Sequence, residues 1–281
     1  MKHVKFASSL FVAVLFLAVV GDTIAAPVIF SASGPNPAGI QAGVDAFRTA
    51  LGTLNPNVAG SFASGRREIN WDGVPDALSA PNPFPANFFN SNSPRGVVFS
   101  TPGSGFQVSA NAGVAPVRFD NINPTYSNTF QTFSAQRLFT SLGSNVMDVN
   151  FFVPGSGAAA FTTGFGAVFT DVDNANTTSI QFFDLLNNSL GTFFVPTANA
   201  GLSFLGVQFN AGEKVSRVRI TSGNAALGPN DNPIGTDVAV MDDFLYAEPQ
   251  GVPESSSLML LAAGLGLIGL IRRRTVQKYA E

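Results

Sequence analysis

Ten short apolar runs, alternating with turns rich in Gly, Pro and Asn, set the strongest limit on how this chain folds. They are Val97 to Ser100, Phe106 to Ala110, Thr129 to Phe133, Asp148 to Val153, Phe165 to Val172, Ile180 to Phe183, Thr192 to Val195, Leu202 to Phe209, Val215 to Ile220 and Val238 to Tyr246. Runs this short bury a strand but not a helix, and several alternate with period two. With 28 Gly, 18 Pro and 27 Phe in 281 residues, the pattern predicts short strands around an aromatic core. The expected class is all-β, an antiparallel β-sandwich of jelly-roll-like topology. In Val215 to Ile220 the alternation slips between Arg217 and Val218, which predicts a bulge or a buried arginine. Gln41 to Leu51 alone reads as helical: Val44, Phe47 and Leu51 recur at three and four residues, the spacing of a short helix packed on a sheet edge.

The two ends are of a different kind. Lys2 and Lys5 precede an uncharged run from Phe6 to Gly21, and small residues follow at Ala25 and Ala26. That is the layout of a secretory signal peptide over residues 1–26, cleaved after Ala25 or after Ala26; an uncleaved anchor is the other reading. At the far end, Val252-Pro253-Glu254 leads through three serines to an apolar run, Leu258 to Ile271, and then Arg272-Arg273-Arg274. A helix over 255–271 would be about 26 Å long against a hydrocarbon core of about 30 Å, a short transmembrane helix. Arginines directly after it favour the cytoplasmic side, which puts the 27–250 body outside.

This tail resembles the PEP-CTERM sorting signal of Gram-negative bacteria, on the residues Val252, Pro253, Glu254 and Arg272 to Arg274. The resemblance covers residues 252–281, with Ser255 in place of the family's second proline and seven further residues, Thr275 to Glu281, after the arginines. It implies a partner, the membrane enzyme exosortase, and an exported protein held at the membrane or released to the cell surface. It also implies association with extracellular polysaccharide and biofilm matrix. A plain C-terminal anchor is the other reading of the tail. Within the body, Arg66 to Asp76 and Ser93 to Ser100 are similar to stretches of uncharacterised secreted bacterial proteins.

The chemistry open to the body is narrow. The chain has no Cys, and its single His is His3, inside the signal peptide. Ser-His-Asp catalysis, Cys nucleophiles, zinc sites built on those residues and disulfides are therefore excluded from the body. Between Pro27 and Gly251 nine Lys and Arg face fifteen Asp and Glu, a balance of −6 that argues against nucleic-acid binding.

Oxygen chemistry remains. Asp171, Asp173 and Asn176 stand in a D-x-D-x-x-N spacing, partly like a calcium loop. Asp242, in phase with Val238, Val240 and Phe244, needs a partner on an apolar face, for which Arg217, Arg219 or calcium would serve. These four are the candidate ligands of a structural calcium, with turn-capping as the plainer role of such Asp and Asn residues.

Across Glu68 to Asp72, alternation places Glu68, Asn70 and Asp72 on one face and Ile69 with Trp71 on the other. The polar face is then solvated or paired with Arg66 and Arg67. Two positioned carboxylates suffice for glycoside hydrolysis, and Glu68, Asp72, Glu213 and Asp242 are available. No motif singles out a pair, so no catalytic residue and no enzyme is expected. One Trp and three Tyr are few platforms for sugar stacking, so polysaccharide binding rests on the tail's resemblance. The expectation is an exported surface or matrix-associated protein with a structural or carbohydrate-interacting role; a secreted carboxylate-based glycoside hydrolase is the alternative.

Overall fold

The runs and turns resolve into two stacked antiparallel sheets in a computed structural model whose described residues are 26–229 and 235–252. Ala25, Pro253, Glu254, the 255–271 span and Arg272 to Arg274 lie outside them. Among the described residues no helix is long and apolar enough to cross a membrane.

The strands are β1 (Val28–Gly34), β2 (Arg66–Ile69), β3 (Val97–Ser100), β4 (Gly105–Val108), β5 (Phe139–Leu142), β6 (Val146–Phe151), β7 (Ala160–Phe161), β8 (Gly164–Val172), β9 (Ser179–Phe183), β10 (Ser189–Phe194), β11 (Ala198–Gln208), β12 (Arg217–Thr221), β13 (Val240–Ala247) and β14 (Gln250–Gly251). The larger sheet runs β1-β11-β8-β13-β5-β4, with β2 also on β13; the smaller runs β10-β9-β12-β6-β3, and β14 pairs with β7. Phe106, Phe139, Phe165, Phe169 and Phe244 from the first meet Phe99, Val149, Phe151, Ile180 and Phe182 from the second in the main core. Trp71 stacks on Phe139 with ring centroids 3.9 Å apart. The all-β sandwich class thus holds.

The helix α1 (Pro37–Leu51) begins earlier than its apolar spacing predicts. Asn36 accepts the Gly39 N–H at 3.3 Å and Pro37 occupies the first turn, where its missing N–H costs nothing. Gly52, at φ 94, closes the other end and donates to Arg48 O. Its buried face, Ile40, Val44, Phe47 and Leu51, covers the outer face of the larger sheet at Val168, Phe204 and Leu245.

The approach is close because Phe47 lies over a glycine pair, Gly166 and Gly206, directly opposed on β8 and β11. A Cβ at Gly206 would stand 2.9 Å from the Phe47 ring. Gly206→Ala should therefore push α1 off its seat and lower stability by about 1–3 kcal/mol, read as a fall in the urea midpoint at constant m. A loss below about 0.5 kcal/mol would show that the helix is not seated there.

Three expectations are corrected. Thr129 to Phe133 is not a strand: Tyr126–Thr129 form one helical turn, α3, after a second such turn, α2 (Phe88–Ser91). Phe130 is spent packing on Tyr126 with centroids 4.8 Å apart. β12 pairs with β6 in unbroken register from Arg217 to Thr221, so no bulge separates Arg217 from Val218. The slip falls at Ser216, between the isolated bridge at Val215 and the strand. Neither Arg217 nor Arg219 turns to Asp242; both point outward and bond Asp148, at 3.1 and 2.8 Å.

Candidate functional site

One edge of β13 is shared by two strands that leave a gap. β5 pairs with it at Met241 and β2 from Phe244 to Ala247, while its register to β8 shifts between Met241 and Phe244. Asp242 and Asp243 occupy this bulge. The extra residue returns Phe244 to the main core with Met241 and leaves two consecutive carboxyls outside it, where strict period two would have put Phe244 with Asp242. Trp71 Nε1 donates to Asp242 O at 2.7 Å and so satisfies a carbonyl left without a ladder partner.

The two carboxyls have different surroundings. Asp242 is fully buried and accepts the Phe133 N–H at 2.6 Å and the Ser134 hydroxyl at 3.1 Å. Asp243, 2 % exposed, meets Arg48 of α1 at 3.4 Å through Oδ2. The same Arg48 grips Glu68 of β2 with a fork of bonds at 3.0 and 2.9 Å, and Glu68 also accepts Arg66 Nε at 2.6 Å. Burial, and then the neighbouring Asp243, raise the Asp242 carboxyl well above the usual range; burial pushes Asp243 up to about 6. A cavity of about 430 Å³ opens over Asp243, lined also by Arg48, Glu68, Asn70, Gln41 and Ser134.

Of the four carboxylates named as hydrolase candidates, Glu68 lines this cavity and Asp242 sits behind it. Asp72 is tied to Gln136 N–H at 3.1 Å, and Glu213 to Ala211 N–H at 2.9 Å; neither lines it. Arg48 and Asp243 are the members that sequence reasoning missed. Their signal was the Asp-Asp doublet itself, since two successive carboxylates in an apolar strand call for a bulge.

The calcium candidates do not assemble around one point. Asp171 and Asp173 line a second cavity, of about 540 Å³, with Thr125, Asn128, Thr129 and Asn199; Asn176 and Asp242 are not part of its wall. Asp171, at φ 66, accepts the Ala200 N–H at 2.7 Å. Burial first, then Asp173 and Asp237, push its carboxyl up to about 7 against that bond. Asp237 gathers the turn itself: it accepts the N–H groups of Asp173 and Asn174, at 3.2 and 3.1 Å, and the Thr177 hydroxyl. The turn is thus capped by a carboxylate distant in sequence. Among the described residues no group of three or more Asp, Glu, His or Cys is placed to hold a metal ion.

Another buried polar network centres on Arg67 and Glu248, neither of which lines either cavity. Arg67, fully buried, forks onto Glu248 at 2.7 and 2.8 Å and donates to the carbonyls of Pro56, Pro94 and Gly60. Glu248 also accepts from Asn55 and from the Phe62 N–H. Arg67 therefore does not serve the polar face of β2; Arg66 and Arg48 do.

No known family description matches the chain, and no curated protein does. Among solved structures, the enzymatically active domain of tailspike protein 4 from bacteriophage CBA120 is similar over 59 % of this chain and 20 % of its own. The identity is 10 % and the TM-score 0.23. This chain thus spans a fifth of that one, and a likeness so slight carries no statement about fold or function.

Proposed function

We propose that the protein is an exported cell-surface or matrix-associated protein of a Gram-negative bacterium, with a structural or polysaccharide-interacting role. Its body is a jelly-roll-like sandwich outside the cytoplasm, and its tail is a PEP-CTERM-like sorting signal read by exosortase. The observation that carries this reading is the span of paired strands among the described residues, from β1 to β14. β14 adds to β7, the Val252 N–H bonds Ala159 O at 3.0 Å, and the next residue, Pro253, has no N–H to continue the ladder. At the other end β1 starts at Val28, two residues past Ala26. The described strands thus lie within the 27–250 body and its first following residues, between the two segments read as signals, which is the arrangement a cargo domain would have.

Intact mass of the cell-bound and released forms tests this. The expected start is Ala26 or Pro27, and the expected released end lies close to Pro253 and Glu254. An unprocessed chain of 281 residues, shielded from protease added to cells with a permeabilised outer membrane, would overturn it.

The convergence of Glu68, Asp242 and Asp243 favours one second reading, a carboxylate-based glycoside hydrolase. Two carboxyls raised by burial stand beside Glu68, which accepts three hydrogen bonds from Arg48 and Arg66, and such a group of carboxyls offers candidates for an acid and a base. New reducing ends from matrix polysaccharide, lost in Asp243→Asn, would establish it over the binding role.

A further inference from the structure

We propose that the end of the sandwich from which the chain leaves toward its tail is a lipid-docking surface. Exposed apolar side chains on three segments there enter the headgroup layer of the bilayer that the tail spans. This deepens the surface-protein reading above and rests on it for the presence of a membrane beside the body.

Strand register decides which segments share that end. Val28 lies opposite Gln208, Gln208 opposite Gly164, Phe165 opposite Tyr246 and Arg66 opposite Ala247, so β1, β8 and β2 begin where β11 and β13 finish. The bridge between Thr162 and Val215 brings the start of β12 to the same place, and Phe183, opposite Arg217, brings the turn after β9. β14 pairs with β7 just ahead of β8, so Val252, the last described residue, leaves from this end as well.

Three segments here hold large apolar side chains in solvent: Val28 and Ile29 at the start of β1, Val58 and Phe62 between α1 and β2, and Leu185 and Leu186 in the turn after β9. Val114 and Phe194, exposed likewise, lie toward the opposite end. Leu186 is 82 % exposed and joins none of the three apolar clusters of the described residues. Asp184 closes that turn from beneath by accepting the Leu186 and Asn188 N–H groups, both at 2.8 Å, so two leucines stand at a tip where Asn, Asp or Gly is usual. The 52–65 stretch has no charged residue. Buried Arg67 donates to its Pro56, Val58 and Gly60 carbonyls, and Gln250 Nε2 donates to Phe62 O at 2.7 Å, which fixes the loop against β14 at the exit. An apolar surface held this firmly in water marks a binding face.

The exit names what covers it. From Val252 to Ser255, where the proposed tail helix starts, three residues reach at most about 11 Å. The headgroup layer is about 5–8 Å deep on each side of the hydrocarbon core, so a spanning tail holds this end of the body against it. Nothing comparable holds a second copy of the chain there. Lys214, exposed at the same end and 5.0 Å from the centre of the Phe161 ring, adds a cation suited to anionic headgroups.

The chain has no Cys, so single cysteines can test this. Val58→Cys (loop), Leu186→Cys (turn), Val114→Cys (opposite end) and Gly266→Cys (tail) are each made in the full-length protein and labelled with an environment-sensitive dye. Reconstitution is into nanodiscs of phosphatidylethanolamine and phosphatidylglycerol, with or without lipid bearing a nitroxide high on its acyl chain. The loop and turn labels should lose roughly half or more of their fluorescence to the nitroxide, as befits side chains about 5–10 Å into the headgroup boundary, and the opposite-end label should keep its own. In the loop-labelled chain, Leu185→Asn with Leu186→Asn should restore most of the fluorescence, which a tether alone would not allow. The proposal is overturned if the loop or the turn label is unquenched, or if the two asparagines change nothing. It is also overturned if both labels shift to the blue without quenching in nanodiscs holding two chains, since a second copy then covers the surface. The tail label separates the two readings: quenching of the tail without the loop and turn removes docking and leaves the span, whereas quenching of the loop and turn without the tail keeps docking and removes the span.

Discussion

Arg67→Met should destabilise the protein by about 3–5 kcal/mol, the loss expected when one partner of a buried ion pair is removed. Arg67 and Glu248 have side-chain exposures of 0 % and 1 %, so neither charge has water to fall back on. Removing the guanidinium strands the Glu248 carboxylate with two remaining donors, Asn55 and the Phe62 N–H. It also deprives the carbonyls of Pro56, Gly60 and Pro94 of their donor. These carbonyls belong to the irregular stretch between α1 and β3, which has few strand pairings of its own, so one side chain holds three separate loop positions. Urea unfolding would show the effect as a lower midpoint. The double variant Arg67→Met with Glu248→Leu should recover part of the loss, because no charge is then left unpaired. A single-variant loss under about 1 kcal/mol would mean that water reaches Glu248 and that the pair is not the clasp of this region.

How far the fold could be read in the sequence follows from what each residue's environment depends on. Val44, Phe47 and Leu51 depend on local spacing, and α1 was legible from them; its first turn was not, because Asn36-Pro37 reads equally well as a loop. β8 and β13 were legible as apolar runs, since strands covered on both faces need no alternation. β1 was not, because Val28 to Phe30 comes soon after the segment read as a signal peptide, and it is pairing with β11 that marks it as a strand. Thr129 to Phe133 misled because a strand and a one-turn helix capping a small cluster bury the same residues.

At the candidate site the parity of β2 carried more than was taken from it. Arg67 shares a face with Ile69 and Trp71, so its burial was implied, whereas its partner Glu248 lies 181 positions away and had no local trace. The β13 bulge depends on β5 and β2 sharing one edge, a fact of topology that no window of sequence contains.

Between pH 4 and pH 8 this protein should lose stability as the pH rises, opposite to a domain held by ionised carboxylates. Asp171 and Asp243 are raised from 3.8 to about 7 and about 6, and Asp242 also stands well above the usual range, each through burial first. A group whose folded value exceeds its unfolded value binds protons more tightly when folded. Its contribution is complete below about pH 4 and is lost as the pH passes through 6 and then 7. Asp45 and Asp184 are lowered by hydrogen bonds from Gln41 and from Asn188, and act only below that window, where acid removes their contribution. Among the described residues there is no histidine to confuse the range. Asp171→Asn keeps an oxygen for the Ala200 N–H and removes the carboxyl that Asp173 and Asp237 oppose. At pH 8 it should stabilise the protein by about 2–4 kcal/mol. Each pH unit between the folded and unfolded values of the carboxyl is worth roughly 1.4 kcal/mol, and water in the open cavity relieves part of the sum. At pH 4 the variant and its parent should be nearly equal. Thermal melts from pH 4 to 8 decide the matter: a flat parent profile, or an Asp171→Asn variant less stable than its parent at pH 8, would mean that the folded Asp171 carboxylate is compensated by a cation held in that cavity.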